Sequence, residues 1–149
     1  MAERVISARS FVAEQVLIAI NTAISYGTPA QGSRNNGIID LTQAVGGRIR
    51  VPAAWTAADI TFLAASSMGS LGFVPVRASP PVDETFVKVR DQYGALIRIT
   101  GIQAAEAGWY EIPANVMSCG YVYIKSTNTA SEADVNQAAA RTLFVSLKT

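Results

Sequence analysis

From Ile38 onward, apolar residues come in short runs that alternate with polar ones and are interrupted by Gly, Pro, Asn or Asp. That rhythm belongs to an all-β domain, because successive side chains of a strand point to opposite faces. It predicts strands over residues 38–41, 47–51, 60–66, 72–77, 85–90, 95–100, 108–112, 120–126 and 141–148. The plainest pairing joins residues 85–90 to 95–100 through Asp91-Gln-Tyr-Gly94, a four-residue loop whose final Gly suits a left-handed closing position. Alternation there directs Val87, Val89, Ile97 and Ile99 to one face, and Lys88, Arg90 and Arg98 to a wet one. By the same logic Ile49 and Val51 point inward against Arg48 and Arg50, and Val122 and Ile124 against Tyr121, Tyr123 and Lys125. Ile60, Phe62, Leu143 and Val145 complete the expected core.

Residues 1–37 follow another pattern. Val12, Val16, Ile20 and Ile24 recur every fourth residue with Phe11 and Leu17 alongside, the stripe of an amphipathic helix, while the β-type residues from Val5 onward also allow an extended chain. Residues 27–37 are rich in Gly, Pro and Asn, in the manner of a linker. The expected organisation is therefore an N-terminal arm and linker over 1–37, attached to a β-sandwich domain over 38–149. The apolar stretch from Phe11 to Ile24 is interrupted by Glu14, Gln15 and Asn21, which argues against a signal-peptide core. No uninterrupted run reaches the roughly 20 apolar residues of a membrane helix.

Between two expected strands lies Pro52-Ala-Ala-Trp-Thr-Ala-Ala58. Proline presets φ for a helical turn and alanines complete it at little entropic cost, so Trp55 is expected to fold over one end of the sandwich as a core plug.

Composition then narrows the function. At 149 residues the chain fits one domain with a core that needs no staple, and half of it is hydrophobic with only 15% charged. A partner surface accounts for so little charge; so does a small sandwich whose outside is Ala, Thr and Ser. The net charge of +1, with scattered Lys and Arg, lacks the footprint of a nucleic-acid binder.

The inventory of reactive groups is thin. There is no histidine, which removes Ser-His-Asp and Cys-His nucleophiles and the common zinc sites. Cys119 has no base to activate it and reads as a small buried hydrophobe. Asp83 with Glu84, and Glu132 with Asp134, read as solvated loop charges rather than a facing catalytic pair. Residues 131–136, Ser-Glu-Ala-Asp-Val-Asn, offer oxygens at alternate positions but lack the glycine and closing Glu of a calcium loop. The expectation is no catalysis, no cofactor and no metal. Tyr93, Trp109, Tyr110, Tyr121 and Tyr123 fit strand packing, subunit contact or a sugar-stacking face.

Two segments carry a likeness to a known group. Val51-Pro-Ala-Ala-Trp-Thr-Ala-Ala-Asp-Ile-Thr-Phe-Leu-Ala-Ala-Ser66 is one; the other is Tyr121-Val-Tyr-Ile-Lys-Ser126 with the later Val135-Asn-Gln-Ala-Ala-Ala-Arg-Thr-Leu-Phe-Val-Ser-Leu147. In order and spacing they resemble small β-sandwich structural proteins of tailed-phage virions, over roughly residues 38–148. The resemblance implies a jelly-roll-like antiparallel sandwich at the capsid surface, made in the host cytoplasm. It implies a decoration or cement protein that bridges subunits of the major capsid protein, as a homo-oligomer with a trimer favoured. Candidate partner contacts are Phe11, Val12, Val16, Leu17 and Ile20 of the arm, with Tyr93, Trp109, Tyr121 and Tyr123 of the domain. A carbohydrate-binding module of a head or tail fibre and a neck or tail-completion protein are the alternatives.

Overall fold

The computed structural model describes residues 11–18, 22–23, 25, 38–65, 86–103 and 105–149. Nine strands are present among them: β1 (Phe11–Ile18), β2 (Ile39–Asp40), β3 (Gly46–Val51), β4 (Asp59–Ala65), β5 (Phe86–Lys88), β6 (Arg98–Ile99), β7 (Gly108–Glu111), β8 (Tyr121–Thr127) and β9 (Arg141–Lys148). All described pairings are antiparallel. They build a first sheet in the order β1-β9-β3-β7 and a second in the order β2-β8-β4-β5, with β6 also on β4. The chain is an all-β sandwich, as the alternation predicts. The expected strand over 72–77 lies outside the described residues.

One apolar cluster fills the space between the sheets. Val16, Ile18, Ile49, Val51, Leu143, Val145 and Leu147 come from the first sheet, and Ile39, Ile60, Phe62, Ile99, Val122 and Ile124 from the second. Trp55 joins them as expected: residues 52–55 form a turn closed by the Trp55 amide on the Pro52 carbonyl (3.2 Å), and the indole N–H donates to the Ala58 carbonyl (3.1 Å). A buried indole keeps its area in the core when its single donor is satisfied locally.

The N-terminal stretch decides between two open readings and corrects one expectation. Residues 11–18 are a strand, not a helix, and pair with β9 along their whole length, from Phe11 opposite Lys148 to Ile18 opposite Arg141. A four-residue spacing is two strand repeats as well as about one helical turn, so the stripe alone could not separate the two. These residues are also not a detachable arm, since Val16 and Ile18 are buried in the common core. The chain then reaches the second sheet: Ser25 N–H donates to the Ile124 carbonyl (2.8 Å), and Ser126 N–H to the Ala23 carbonyl (2.7 Å). Residues 23 and 25 thus occupy the flank of β8 next to β2, covering backbone groups that an edge would leave open.

The hairpin at 85–100 also departs from the simple pairing. Its turn forms, with Gly94 at φ +85° and the Asp91 amide on the Ala95 carbonyl (2.8 Å). Between its limbs, however, the ladder reduces to the single bridge Arg90–Leu96 and an Ile97 amide on the Val89 carbonyl (3.0 Å). Both limbs instead pair with β4, β5 along Leu63–Ala65 and β6 along Ile60–Thr61. Ile97 and Ile99 are buried and Val89 packs against the core, but Val87 is 52% exposed, contrary to expectation. It stands on the edge strand opposite Ala64, whose methyl group covers little of it.

Candidate functional site

The outward positions of the first sheet line up across four strands. Register places Gln15, Phe144, Arg50 and Trp109 in one row, and Ser146, Arg48 and Glu111 in the next. Phe144 and Trp109 are 37% and 49% exposed, large areas of aromatic surface to leave in water. The Arg50 guanidinium lies over the Phe144 ring, 5.9 Å from its centroid, in cation–π range. Leu17, half-buried opposite Thr142, extends the apolar strip onto β1.

Beside Trp109 the face is hollowed. A depression of about 400 Å³ is lined by Gly46, Gly47, Arg48, Trp109, Glu111, Ser146 and Lys148. Gly46 is among its lining residues, and a side chain added there would meet no atom within 4 Å. Arg48 and Glu111 are direct cross-strand partners, yet neither they nor Lys148 form an ion pair among the described residues. Polar groups left unpaired around a concave aromatic wall can be used by a ligand.

The outer face of the second sheet is built differently. Residues 128–134 fold over it and carry its charges into pairs. Glu132 accepts from Lys88 Nζ (3.0 Å) and from both terminal nitrogens of Arg90 (2.8 and 2.9 Å). These bonds, from Arg90 foremost and then Lys88, lower the Glu132 carboxyl to a pKa of about 2, and the same contact raises that of Arg90. Arg98 donates to Asp59 (3.2 Å) and to the carbonyls of Asn128 (2.9 Å) and Ser131 (2.6 Å), so it is covered rather than wet. Lys125 pairs with Asp134 at 2.8 Å. Glu132 and Asp134 are thus solvated loop charges, as expected, that also anchor the loop by facing cations. Among the described residues, no three His, Cys, Asp or Glu side chains gather as a metal site. Asp83 and Glu84 lie outside the described residues.

The candidate contact residues do not form one surface. Tyr93 is 85% exposed at the hairpin tip, Trp109 stands on the opposite sheet, and Tyr121 is half-buried at the start of β8. Two belong to the interior: Val16 points between the sheets, and Tyr123, though outward by alternation, is 1% exposed. Phe11 and Val12 sit by register opposite Lys148 and Leu147, and Ile20 lies outside the described residues. Tyr110 faces inward opposite Ile49, its hydroxyl accepting the Gln103 amide (2.9 Å). Cys119 is half-buried against the core, and burial pushes its thiol pKa up, away from reactivity. Phe144 was missed, although its signal was present: between inward Leu143 and Val145, an aromatic at 144 must point out.

Residues 51–66 and 135–147 meet in space. The Thr56 amide donates to Gln137 Oε1 (2.9 Å) and the Ala138 amide to Thr56 Oγ1 (3.1 Å), with the Gln137 side chain fully buried. The Pro-Ala-Ala-Trp turn and the Asn-Gln-Ala-Ala segment thus form one clamp. Compared with known proteins, the chain matches no family model, no curated sequence and no solved structure.

Proposed function

We propose that this chain is a structural protein of a bacteriophage virion, a decoration or cement protein that stabilises the head by bridging neighbouring subunits of the major capsid protein. The observation that carries the reading is the clamp between residues 56 and 137–138, which joins the two segments of the resemblance through hydrogen bonds around the fully buried Gln137 side chain. Residues that recur in order and spacing are spent on holding a fold together, as suits a building block.

The strand order supports the jelly-roll part of the reading. If β5 and β6, which share β4, count as one position, the sheets read β1-β9-β3-β7 and β2-β8-β4-β5, the wind of two Greek keys in a jelly roll. Cement function asks for contact area rather than chemistry, and Tyr93 at the hairpin tip offers a rigid aromatic anchor of the kind that binding surfaces use. Repeated contacts on an ordered lattice act at high effective concentration, so a modest affinity at each is enough for full occupancy.

The test is made on purified particles. The protein is expected at a copy number comparable to that of the capsomers, and particles lacking it are expected to release DNA at lower temperature than complete ones. Low copy number together with equal heat resistance would discard the cement reading and leave the fibre or neck alternatives.

A further inference from the structure

We infer that the depression on the first sheet is a binding site for an acidic saccharide, a chain containing uronic-acid units, with Trp109 as the stacking platform and Arg48 and Lys148 as the carboxylate receptors. Such a site is independent of the virion reading, and free protein in solution answers for it.

Three features converge on this ligand class. The first is shape: a hollow of about 400 Å³ falls in the range of small-ligand pockets, and it is walled by an indole held on a paired strand. The negative face of an indole attracts the slightly positive C–H groups on the flat side of a pyranose ring, and a rigid strand presents that face at little entropic cost. Trp109 is 49% exposed, and its indole N–H has no partner among the described residues.

Charge is the second feature. Arg48 and Lys148 line the hollow against the single carboxylate of Glu111, and Arg50 stands in the adjoining row. Elsewhere the described cations Lys88, Arg90, Arg98 and Lys125 are in ion pairs and Arg141, at the far end of β9, is held by Gln137, so three of the four described cations without an ion pair, Arg48, Arg50 and Lys148, stand at or beside the hollow. The planar guanidinium of Arg48 suits two-point contact with a carboxylate, and Lys148 supplies a flexible second cation.

The third feature is the mixture. Glu111 can accept hydrogen bonds from sugar hydroxyls, and the Ser146 hydroxyl can donate or accept. A simple phosphate would gain nothing from Trp109 and would bring no sugar hydroxyls for Glu111 to accept from. A neutral sugar would leave Arg48 and Lys148 without a counter-charge. A saccharide bearing carboxylates uses every group in the hollow.

The experiment titrates the full chain with tetragalacturonate and, separately, with the neutral maltotetraose, following heat of binding in low-salt buffer. Tetragalacturonate is expected to bind at least tenfold more tightly than maltotetraose, and to weaken when salt is raised, as screening requires. Trp109→Ala and Arg48→Gln are each expected to raise its Kd at least tenfold. Gly46→Gln adds a side chain to the lining of the hollow, where an added Cβ meets open space and no positive φ restricts the residue. It should abolish binding while leaving the melting temperature near that of the wild type. Absence of tetragalacturonate binding at millimolar concentration, equal affinity for the two sugars, or wild-type affinity in Trp109→Ala or Gly46→Gln would overturn the assignment.

Discussion

The outer faces of the two sheets start from the same alternation and end in different states. On the second sheet the outward residues Arg98, Lys88 and Lys125 are held in pairs by Asp59, Glu132 and Asp134, and residues 128–134 lie across it. On the first sheet, Arg48, Glu111 and Lys148 form no such pairs among the described residues, and two aromatic rings stand in water. Strand periodicity decides only that a side chain leaves the core. Whether it meets water or another part of the chain depends on where the loops go. A face that none of the described loops covers, and that still carries Trp and Phe, is available for recognition.

The harshest way to break this comparison is to remove the border of the open face. Ile18→Ala is expected to cost about 2–5 kcal/mol in chemical denaturation, as for other aliphatic side chains deleted from a packed core. It would loosen β1 from β9 and leave the edge of the first sheet unsupported. Unchanged stability would restore residues 11–18 to a detachable arm.

A milder change sharpens the contrast between the faces. Asp59→Ala strands Arg98 beneath the 128–134 loop, and the expected loss is about 3 kcal/mol, in the range for breaking a buried pair. Glu111→Ala on the open face is expected to stay within about 0.5 kcal/mol of the wild type. Similar losses in parallel denaturation curves would mean that the two faces are equally structural.

The smallest effect concerns pH. The Glu132 carboxyl has a folded-state pKa of about 2, below the usual carboxylate range, chiefly through its bonds to Arg90 and then Lys88. A lowered carboxylate pKa stabilises the fold above the unfolded value, and the contribution fades as pH falls towards the folded one. The melting temperature of the wild type should therefore exceed that of Glu132→Gln at about pH 6, and the gap should close between about pH 5 and pH 2. Since the carboxylate is exposed, the gap will be small. A gap that stayed constant to low pH would remove the ion pair from the account of how the loop is anchored.

Much of the sandwich could be read along the chain. Ile49, Val51, Ile60, Phe62, Val122, Ile124, Leu143 and Val145 all reach the core, because a period of two leaves a strand residue only two choices of side. Trp55 could be read as a plug because its turn is local, built by Pro52 and the alanines around it. The row of Trp109, Arg50 and Phe144 was half legible: alternation turns each outward, but their adjacency comes from pairing β9 with β3 and β3 with β7, strands far apart in the chain.

What the sequence determined by itself was therefore the class of fold, the inward and outward side of most strands, and the local turns. Tertiary structure alone decided that residues 11–18 are a strand, because their four-residue stripe suits helix and strand alike until β9 supplies a ladder of hydrogen bonds. It decided that Tyr123 is buried although outward, that Val87 is exposed although inward, and that Thr56 meets Gln137. Each of these depends on contacts between segments distant in sequence, and the local pattern that names a strand carries no information about its neighbours.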